Sequence, residues 1–210
     1  MSAPYYQDDL VTIYHGDCRE IAPFLKDVNA VVSDPPYGMD WDTDTTRFSG
    51  GLQKVSRGRD WAASIVGDGE PFEPAPWLSY PDVILFGSNH YGQRLPVGTT
   101  LVWIKRHDEG FGSFLSDAEI AWMKGGHGVY LYRSLRAPGA TVHPTQKPVD
   151  LMRWCLEKTR GTVLDPFAGS GTTLVAAKSL GRKSIGIEIE ERYCEIAATR
   201  CSQEVLGLVG

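Results

Sequence analysis

The sequence lacks the features that mark several specialised classes of protein. Its four cysteines, at positions 18, 155, 194 and 201, show no C-x-x-C spacing, so neither a zinc site nor a disulfide framework is expected. No apolar run approaches the roughly 20 residues of a membrane span, and residues 1–10 show no signal-peptide pattern. These absences predict a cytoplasmic protein with reduced thiols, no membrane association and no bound metal.

Basic charge is also scarce. The 210 residues include 26 acids against 21 lysines and arginines, a net charge of −5, so no broad basic surface is expected. A local basic patch can still supply phosphate contacts to a nucleic acid. One candidate is the irregular stretch 38–60, whose four bases have no acid between them; they are Arg47, Lys54, Arg57 and Arg59. Two interpretations stay open, a solvated flap and a phosphate-contacting loop.

Short apolar runs alternate with helical segments along the chain. Strands are predicted over 10–14, 29–33, 82–86, 99–104, 118–123, 129–132, 162–164 and 183–187, and the clearest helices over 148–158, 171–180 and 190–201. This pattern predicts an α/β fold with a Rossmann-like, doubly wound and mostly parallel sheet. The glycine-rich residues 124–128 predict an antiparallel hairpin at the sheet edge. We expect a single domain over 1–210, with a mobile loop 38–60 and a small region 105–147 as insertions.

One strand ends abruptly in residues with useful chemistry. The apolar run 29–33 stops at Asp34-Pro35-Pro36-Tyr37, because the two prolines lack N–H groups and have a fixed φ. Asp34 precedes a proline, which favours an extended backbone and aims the carboxylate past the strand end. Ligands of open parallel sheets lie at the carboxyl ends of the strands. A carboxylate, carbonyl groups and an aromatic ring at that edge predict a chemical site.

The last third of the chain predicts a cofactor site. Asp165 ends a strand, the turn Gly169-Ser170-Gly171 follows, and Glu188 ends the next strand. Such units bind nucleoside-containing cofactors, because the glycines admit a close approach and the acid accepts ribose hydroxyls. The turn lacks the third glycine of G-x-G-x-x-G and has no G-K-[ST], and its aspartate would repel a pyrophosphate. These features favour a cationic cofactor without phosphate, S-adenosylmethionine, over NAD or ATP.

Three motifs together resemble those of the DNA amino-methyltransferases. They are Asp34-Pro35-Pro36-Tyr37, the segment from Asp165 to Thr173, and His143-Pro144-Thr145-Gln146-Lys147-Pro148. Their order resembles that of the permuted β group, in which the D-P-P-Y element precedes the cofactor motif, and the resemblance covers nearly the whole chain. It implies a circularly permuted methyltransferase fold and methyl transfer from S-adenosylmethionine to an exocyclic amine of double-stranded DNA.

The resemblance also implies cofactor-binding roles. Phe167, Gly169 and Gly171 would line the methionine part of the cofactor. Asp165 would lie near its ammonium, and Glu188 would hold the ribose hydroxyls. The remaining expected cofactor contacts are Asp17, Cys18, Asp34, Thr145, Lys147, Pro166, Ser170 and Thr172, with Asp17 near the adenine and Thr145 and Lys147 closing over the methionine tail.

Two of these roles have structural alternatives, since Asp17 also suits a turn and Lys147 an exposed surface.

Contacts to DNA are expected from bases outside the two motif strands, namely Arg47, Lys54, Arg57, Arg59, Lys105, Arg106, Arg133 and Arg136.

The implied catalytic element is Asp34, Pro35, Pro36 and Tyr37. Asp34 and the Pro35 carbonyl would accept the two amine hydrogens, which directs the nitrogen lone pair at the methyl group. Tyr37 would stack on a base extruded from the duplex, because the amine is inaccessible inside it. Aspartate at the first position resembles the adenine-N6 enzymes more than the cytosine-N4 ones, so adenine N6 is the expected target.

Several alternatives stay open. Region 105–147 leaves little room for a recognition domain, so short specificity, recognition by the loop 38–60 and a homodimer are all compatible with the sequence. The activity could be cytosine-N4 methylation of DNA or amino-methylation of RNA. A non-enzymatic binding module would be expected to lose the catalytic acid or the glycines, and both are retained. The compact form suits a prokaryotic or phage-type protein.

Overall fold

The computed structural model describes residues 3–39, 68–112, 116–135 and 146–203. Eight residues named above lie outside the described residues, namely Arg47, Lys54, Arg57, Arg59, Arg136, His143, Pro144 and Thr145. What the sequence predicts for them stays a prediction.

The described residues form strands and helices close to the predicted ones. The strands are β1 (Tyr6–Gln7), β2 (Val11–His15), β3 (Ala30–Ser33), β4 (Asp82–Phe86), β5 (Gly98–Ile104), β6 (Ala118–Arg133), β7 (Val163–Asp165) and β8 (Ser184–Glu188). The α-helices are α1 (Cys18–Ile21), α2 (Ser88–Tyr91), α3 (Val149–Leu156), α4 (Thr172–Ser179) and α5 (Glu191–Ser202). Short 3₁₀ helices span Ala22–Phe24, Ala75–Trp77, Gly92–Arg94 and Asp108–Gly110.

Within the described residues the strands form one sheet in the order β1-β2-β8-β7-β3-β4-β6-β5. Neighbouring strands from β2 to β4 are parallel, whereas β1 is antiparallel to β2 and β6 is antiparallel to β4. The strands β7 and β8 lie between β2 and β3, although β2 and β3 are consecutive along the chain. The predicted α/β fold, a mostly parallel Rossmann-like sheet with an antiparallel edge, is confirmed.

The predicted hairpin at the sheet edge is wrong in its pairing. Residues 118–124 run antiparallel to β5 on one side, and residues 129–133 run parallel to β5 on the other. The turn between them passes around the start of β5, where the hydroxyl of Thr99 donates to the Gly125 carbonyl over 2.9 Å. Because Leu101 and Trp103 of β5 are 1% exposed, the intervening strand supplies buried apolar area that a direct hairpin would forgo.

The central strands are apolar on both faces of the sheet. Alternate residues point to opposite sides, so Val31 packs with Val83 and Leu85 on one face, while Val32 packs with Ile84 on the other. Parallel strands covered on both faces carry polar groups only at their ends. The ends of these strands are therefore where chemistry can be placed.

No helix in the described ranges combines the length and apolar character needed to cross a bilayer. All four cysteines lie in buried positions and carry free thiols.

Candidate active site

Strand ends from both halves of the chain meet at one edge of the sheet. Asp34 follows β3 directly, Asp165 ends β7, and Glu188 ends β8, with β7 between the other two strands. All three carboxylates line one cleft of about 1690 Å³. The two sites expected from the sequence are therefore parts of a single site.

Asp34 is held by two donors at the floor of this cleft. The Tyr37 hydroxyl donates to Asp34 Oδ1, and Lys147 Nζ contacts Asp34 Oδ2. Burial raises the pKa of the Asp34 carboxyl, and the nearby Lys147 ammonium opposes that rise. Burial and the adjacent Asp34 hold the pKa of Tyr37 well above its ordinary value, so the tyrosine remains a hydrogen-bond donor.

Lys147 lies beside Asp34 and is 5% exposed. Its ammonium bridges Asp34 and Glu119, with Nζ 3.1 Å from Glu119 Oε2. Lys105 Nζ lies 3.0 Å from Glu119 Oε1, which extends the series of alternating charges to the cleft wall. Burial lowers the pKa of Lys147, but Asp34 and Glu119 outweigh it and hold that pKa above its ordinary value. The surface-lysine alternative for Lys147 is therefore wrong.

Asp165 organises the start of the cofactor turn. Its Oδ1 accepts from the Ser33 hydroxyl over 2.6 Å and from the Phe167 N–H over 3.1 Å, and its Oδ2 accepts from the Thr173 hydroxyl over 2.5 Å. Burial raises the pKa of Asp165 to about 6. These bonds tie the end of β7 to the end of β3, which fixes the turn relative to Asp34.

Glu188 reaches back to the same turn. Its Oε2 accepts from the Gly169 N–H over 2.7 Å, and its Oε1 accepts from the Glu190 N–H over 2.8 Å. Burial raises the pKa of Glu188. Gly169 has φ +50°, and a Cβ at this position would meet no atom within 4 Å, so the backbone here faces open space. The turn thus leaves room for a ligand against its backbone.

The second glycine of the turn faces the protein interior. A Cβ on Gly171, which has φ +77°, would lie 2.8 Å from the Cβ of Ala197 on α5. From the same helix, Arg200 Nη1 donates to the Ser170 carbonyl over 2.5 Å and lies 3.2 Å from the Thr172 hydroxyl. Ser170 and Thr172 line the cleft, but Gly171 acts in packing α5 against the turn.

Asp17 and Cys18 form the far rim of the cleft, after β2. Asp17 caps α1, accepting from the Arg19 N–H over 2.8 Å, and it pairs with the Arg19 guanidinium at 2.5 Å. The hydrogen bond from Arg19 lowers the pKa of Asp17. Asp17 therefore has the turn-forming role while its carboxylate also borders the cleft.

Aromatic rings form a wall of the cleft beside the cofactor turn. The Phe167 ring packs edge-on against Phe72 at 5.8 Å and against Trp77 at 6.0 Å between centroids. All three line the cleft, together with the buried Pro35 and Pro166. The site thus combines an acidic floor with an apolar wall.

The described bases among the expected DNA contacts already have partners. Lys105 pairs with Glu119, Arg106 Nε lies 3.6 Å from Asp117 Oδ1, and Arg133 Nη2 lies 2.5 Å from Asp108 Oδ1. Lys105 and Arg106 line the cleft, whereas Arg133 lies on β6 outside it.

Three residues of the site were missed by sequence reasoning, namely His90, Glu119 and Arg200. Glu119 is a single acid in a strand, and Arg200 is one of two bases on α5, so neither stands out locally. His90 follows the end of β4, at the same edge of the sheet as Asp34. That position, in the segment Gly87-Ser88-Asn89-His90-Tyr91, was the one available signal.

Comparison with known proteins gives partial sequence matches. Residues 122–199 match a family model described as DNA methylase. The chain is 52% identical over 65 residues to the Type II methyltransferase M2.DpnII of Streptococcus pneumoniae, covering 30% of this chain and 24% of that protein. It is also 52% identical over 64 residues to M2.LlaDCHI of Lactococcus lactis subsp. cremoris, covering 29% and 24%. The matches thus span about a quarter of these curated relatives.

Solved structures match over almost the whole chain. The M1.HpyAVI–SAM complex has a TM-score of 0.60 at 23% identity, covering 92% of this chain and all of that chain. The cytosine-N4-specific PvuII DNA methyltransferase has a TM-score of 0.61 at 15% identity, covering 97% and 90%. At these identities the likeness establishes the fold.

The matched segment 122–199 contains β7, the cofactor turn and β8, and Asp34-Pro35-Pro36-Tyr37 lies beside that turn in the same cleft. Over this segment the chain is similar to the DNA methylases.

Proposed function

We propose that this chain is an S-adenosylmethionine-dependent DNA methyltransferase that modifies the exocyclic N6 of adenine. The observation that carries the proposal is the position of Asp34, which lies in one cleft with the cofactor turn and Glu188. The strands that bear them are adjacent, so a methyl donor on the turn and an amine at Asp34 would share one space.

The cleft suits S-adenosylmethionine in charge and shape. Asp165 and Glu188 flank the turn with carboxylates, which match a cation and would repel phosphate. The open space at Gly169 admits a ligand against the backbone, and Glu188 retains lone pairs for ribose hydroxyls. When bound, S-adenosylmethionine supplies a methyl group on a positively charged sulfur.

Asp34 acts as an acceptor that orients the target amine. The amine of a base is a weak nucleophile, because its lone pair is delocalised into the ring. Asp34 and the Pro35 carbonyl would accept its two hydrogens and turn that lone pair toward the methyl group. Lys147 and Tyr37 occupy one position on each Asp34 oxygen, and the remaining lone pairs of the carboxylate are available to the amine.

The charges behind Asp34 keep it in the accepting form. Lys147 stabilises the ionised carboxylate of Asp34, and Glu119 is the second carboxylate that pairs with the Lys147 ammonium. The amine nitrogen would gain the methyl group as the carbon–sulfur bond of the cofactor breaks, and it would then be acidic, so Asp34 would be placed to accept its proton. Tyr37 and Lys147 hold the carboxylate still while this proton leaves.

Double-stranded DNA is the proposed substrate, with the base extruded into the cleft. Lys105 and Arg106 border the cleft, so they would meet the backbone beside the extruded nucleotide. We assign the remaining DNA contacts to Arg47, Lys54, Arg57, Arg59, Arg133 and Arg136, and target recognition to region 105–147 within a single domain. A homodimer would add surface to this small region.

The test is nucleoside analysis after a reaction with DNA. Unmethylated genomic DNA is incubated with the full chain and S-adenosylmethionine labelled in its methyl group, digested, and analysed by mass spectrometry, with Asp34→Ala as the matched control. We expect N6-methyladenine, and sequencing of the same DNA would give the modified position. N4-methylcytosine instead would overturn the base assignment.

The alternatives give different outcomes in the same assay. Label found in RNA and not in DNA would point to an RNA amino-methyltransferase. Cofactor binding by calorimetry without transfer to either nucleic acid would point to a binding module. PvuII DNA methyltransferase is cytosine-N4-specific by name and shares this fold, which makes the cytosine alternative the second candidate.

A further inference from the structure

A second ring covers the ring of Tyr37. The imidazole of His90 is stacked on Tyr37, with centroids 4.9 Å apart and an angle of 11° between the planes. His90 lies on α2, directly after β4, and β4 is the neighbour of β3. The face on which a target base would stack is thus occupied by a histidine.

The backbone that carries His90 is firmly placed against Tyr37. Gly87, which directly precedes α2, has φ +74°, and a Cβ there would lie 2.0 Å from Tyr37 Cε1. Tyr91, 1% exposed, anchors the end of the helix by donating its hydroxyl to the Phe86 carbonyl. The position of α2 relative to Tyr37 is therefore fixed from both ends.

The ring contact of the His90 side chain is its stacking on Tyr37. It is exposed and lines the cleft, and its Nε2 lies 2.9 Å from Nδ2 of the exposed Asn89. A rotation of the imidazole away from Tyr37 would therefore uncover the tyrosine without opening a buried cavity. An exposed aromatic ring, held flat beside a catalytic carboxylate, has the geometry of a stacking surface for a planar ligand.

We propose that His90 is the second stacking residue for the extruded base. Its ring covers Tyr37 before DNA binds, moves aside as the base enters, and then packs on the outer face of the base. Two rings 4.9 Å apart leave no space for a third between them, so this movement is required if the base stacks on that face of Tyr37. The inference rests on the proposed function, because it assigns a residue to the same base pocket.

The test uses a duplex whose modified position, found as described above, carries 2-aminopurine, together with an unsubstituted duplex for kinetics. His90→Ala removes the ring, His90→Phe restores a ring without the imidazole nitrogens, and Lys183→Ala changes an exposed side chain outside the cleft. Fluorescence of 2-aminopurine reports stacking of the flipped base, and calorimetry with S-adenosylmethionine reports cofactor affinity.

We expect His90→Ala to raise KM for the duplex about tenfold, in line with the loss of one base–aromatic stack, and to brighten bound 2-aminopurine. His90→Phe should return both values close to those of the unmodified protein. Cofactor affinity and melting temperature should stay unchanged in each variant, as should all readouts in Lys183→Ala.

The inference is overturned if His90→Ala matches the unmodified protein in KM and fluorescence. It is also overturned if a normally folded His90→Phe behaves like His90→Ala, since a ring alone would then not suffice. Failure of the proposed function looks different, because the unmodified protein would itself transfer no methyl group to DNA.

Discussion

Lys147 Nζ lies 3.1 Å from Glu119 Oε2 while it also contacts Asp34 Oδ2. One ammonium thus joins two carboxylates in a place where Lys147 is 5% exposed. Buried charges are costly unless they are paired, so removal of the central cation leaves two acids with no cation between them.

We predict that Lys147→Met lowers the free energy of unfolding by about 3–5 kcal/mol, the usual cost of breaking a buried ion pair. Urea denaturation followed by circular dichroism would measure it. Lys183→Met, at an exposed position, is the matched control and should change stability by less than about 0.5 kcal/mol. Equal stability of the two variants would contradict the role of Lys147 as the central charge.

Asp34→Ala should abolish methyl transfer, and Asp34→Asn should reduce it by about 10²–10³-fold, the typical loss when one preorganised polar group of an active site is removed. The asparagine keeps the shape of the side chain but loses its charge and one acceptor oxygen. Cofactor binding should remain near normal in both variants, because the turn is held by Asp165 and Glu188. Single-turnover transfer assays and calorimetry would check this, and persistent transfer in Asp34→Ala would refute the catalytic assignment.

The two glycines of the cofactor turn should respond differently to alanine. Gly171→Ala adds a Cβ 2.8 Å from Ala197 at φ +77°, so it should cost more than the roughly 1–2 kcal/mol of a left-handed residue. Gly169→Ala, at φ +50°, meets no neighbour and should cost only the backbone part, while its methyl group weakens cofactor binding. Thermal melting and calorimetry separate the two effects, and a Gly169→Ala protein less stable than Gly171→Ala would contradict the assignment.

Stability should depend on pH through Asp165. Burial raises its pKa from 3.8 to about 6 in the folded protein, so folding binds a proton that the unfolded chain releases. The stabilisation that protonated Asp165 contributes to the fold is fully present below about pH 4. It falls as the pH rises to about 6, and above that pH stability no longer changes through this group. Asp165→Asn does not titrate, so its stability relative to the unmodified protein should improve across this interval by on the order of 2 kcal/mol.

Chemical denaturation at several values between pH 4 and pH 7 would measure that difference. Asp82→Asn, at a half-buried carboxyl on β4 outside the cleft, provides a comparison. A difference between Asp165→Asn and the unmodified protein that does not vary with pH would show that Asp165 is ionised throughout.

The positions of the Asp34-Pro35-Pro36-Tyr37 segment and of the glycine turn after β7 were predictable because their signals are local. Two prolines end β3, and glycines between a strand and a helix indicate the turn after β7. Because the central strands are buried on both faces of the sheet, they appear in the sequence as short apolar runs, and their predicted positions are therefore close to the observed ones. These features depend on neighbours along the chain, which the sequence displays directly.

The rest depends on contacts between distant residues. Glu119 acquires its role from Lys147, and Gly171 from Ala197 on a later helix. The enclosure of β5 by β6 has the same origin, since residues 118–123 and 129–132 each form a strand-like run and the glycine-rich residues between them suit a hairpin. Nothing in the local pattern distinguishes pairing with each other from pairing with a third strand.

The insertion of β7 and β8 between β2 and β3 has a consequence for folding. The strands β2 and β3 are consecutive along the chain, but in the finished sheet β8 and β7 lie between them. When only the first half of the chain has folded, β2 and β3 therefore cannot pair as they do in the sheet. The gap closes only when residues near 163–188 arrive, so the middle of the sheet depends on pairings between distant segments. Such topologies fold slowly and expose unpaired strand edges in the interim. Catalytic competence should therefore appear late in refolding, together with the last protected amides of β3, β7 and β8.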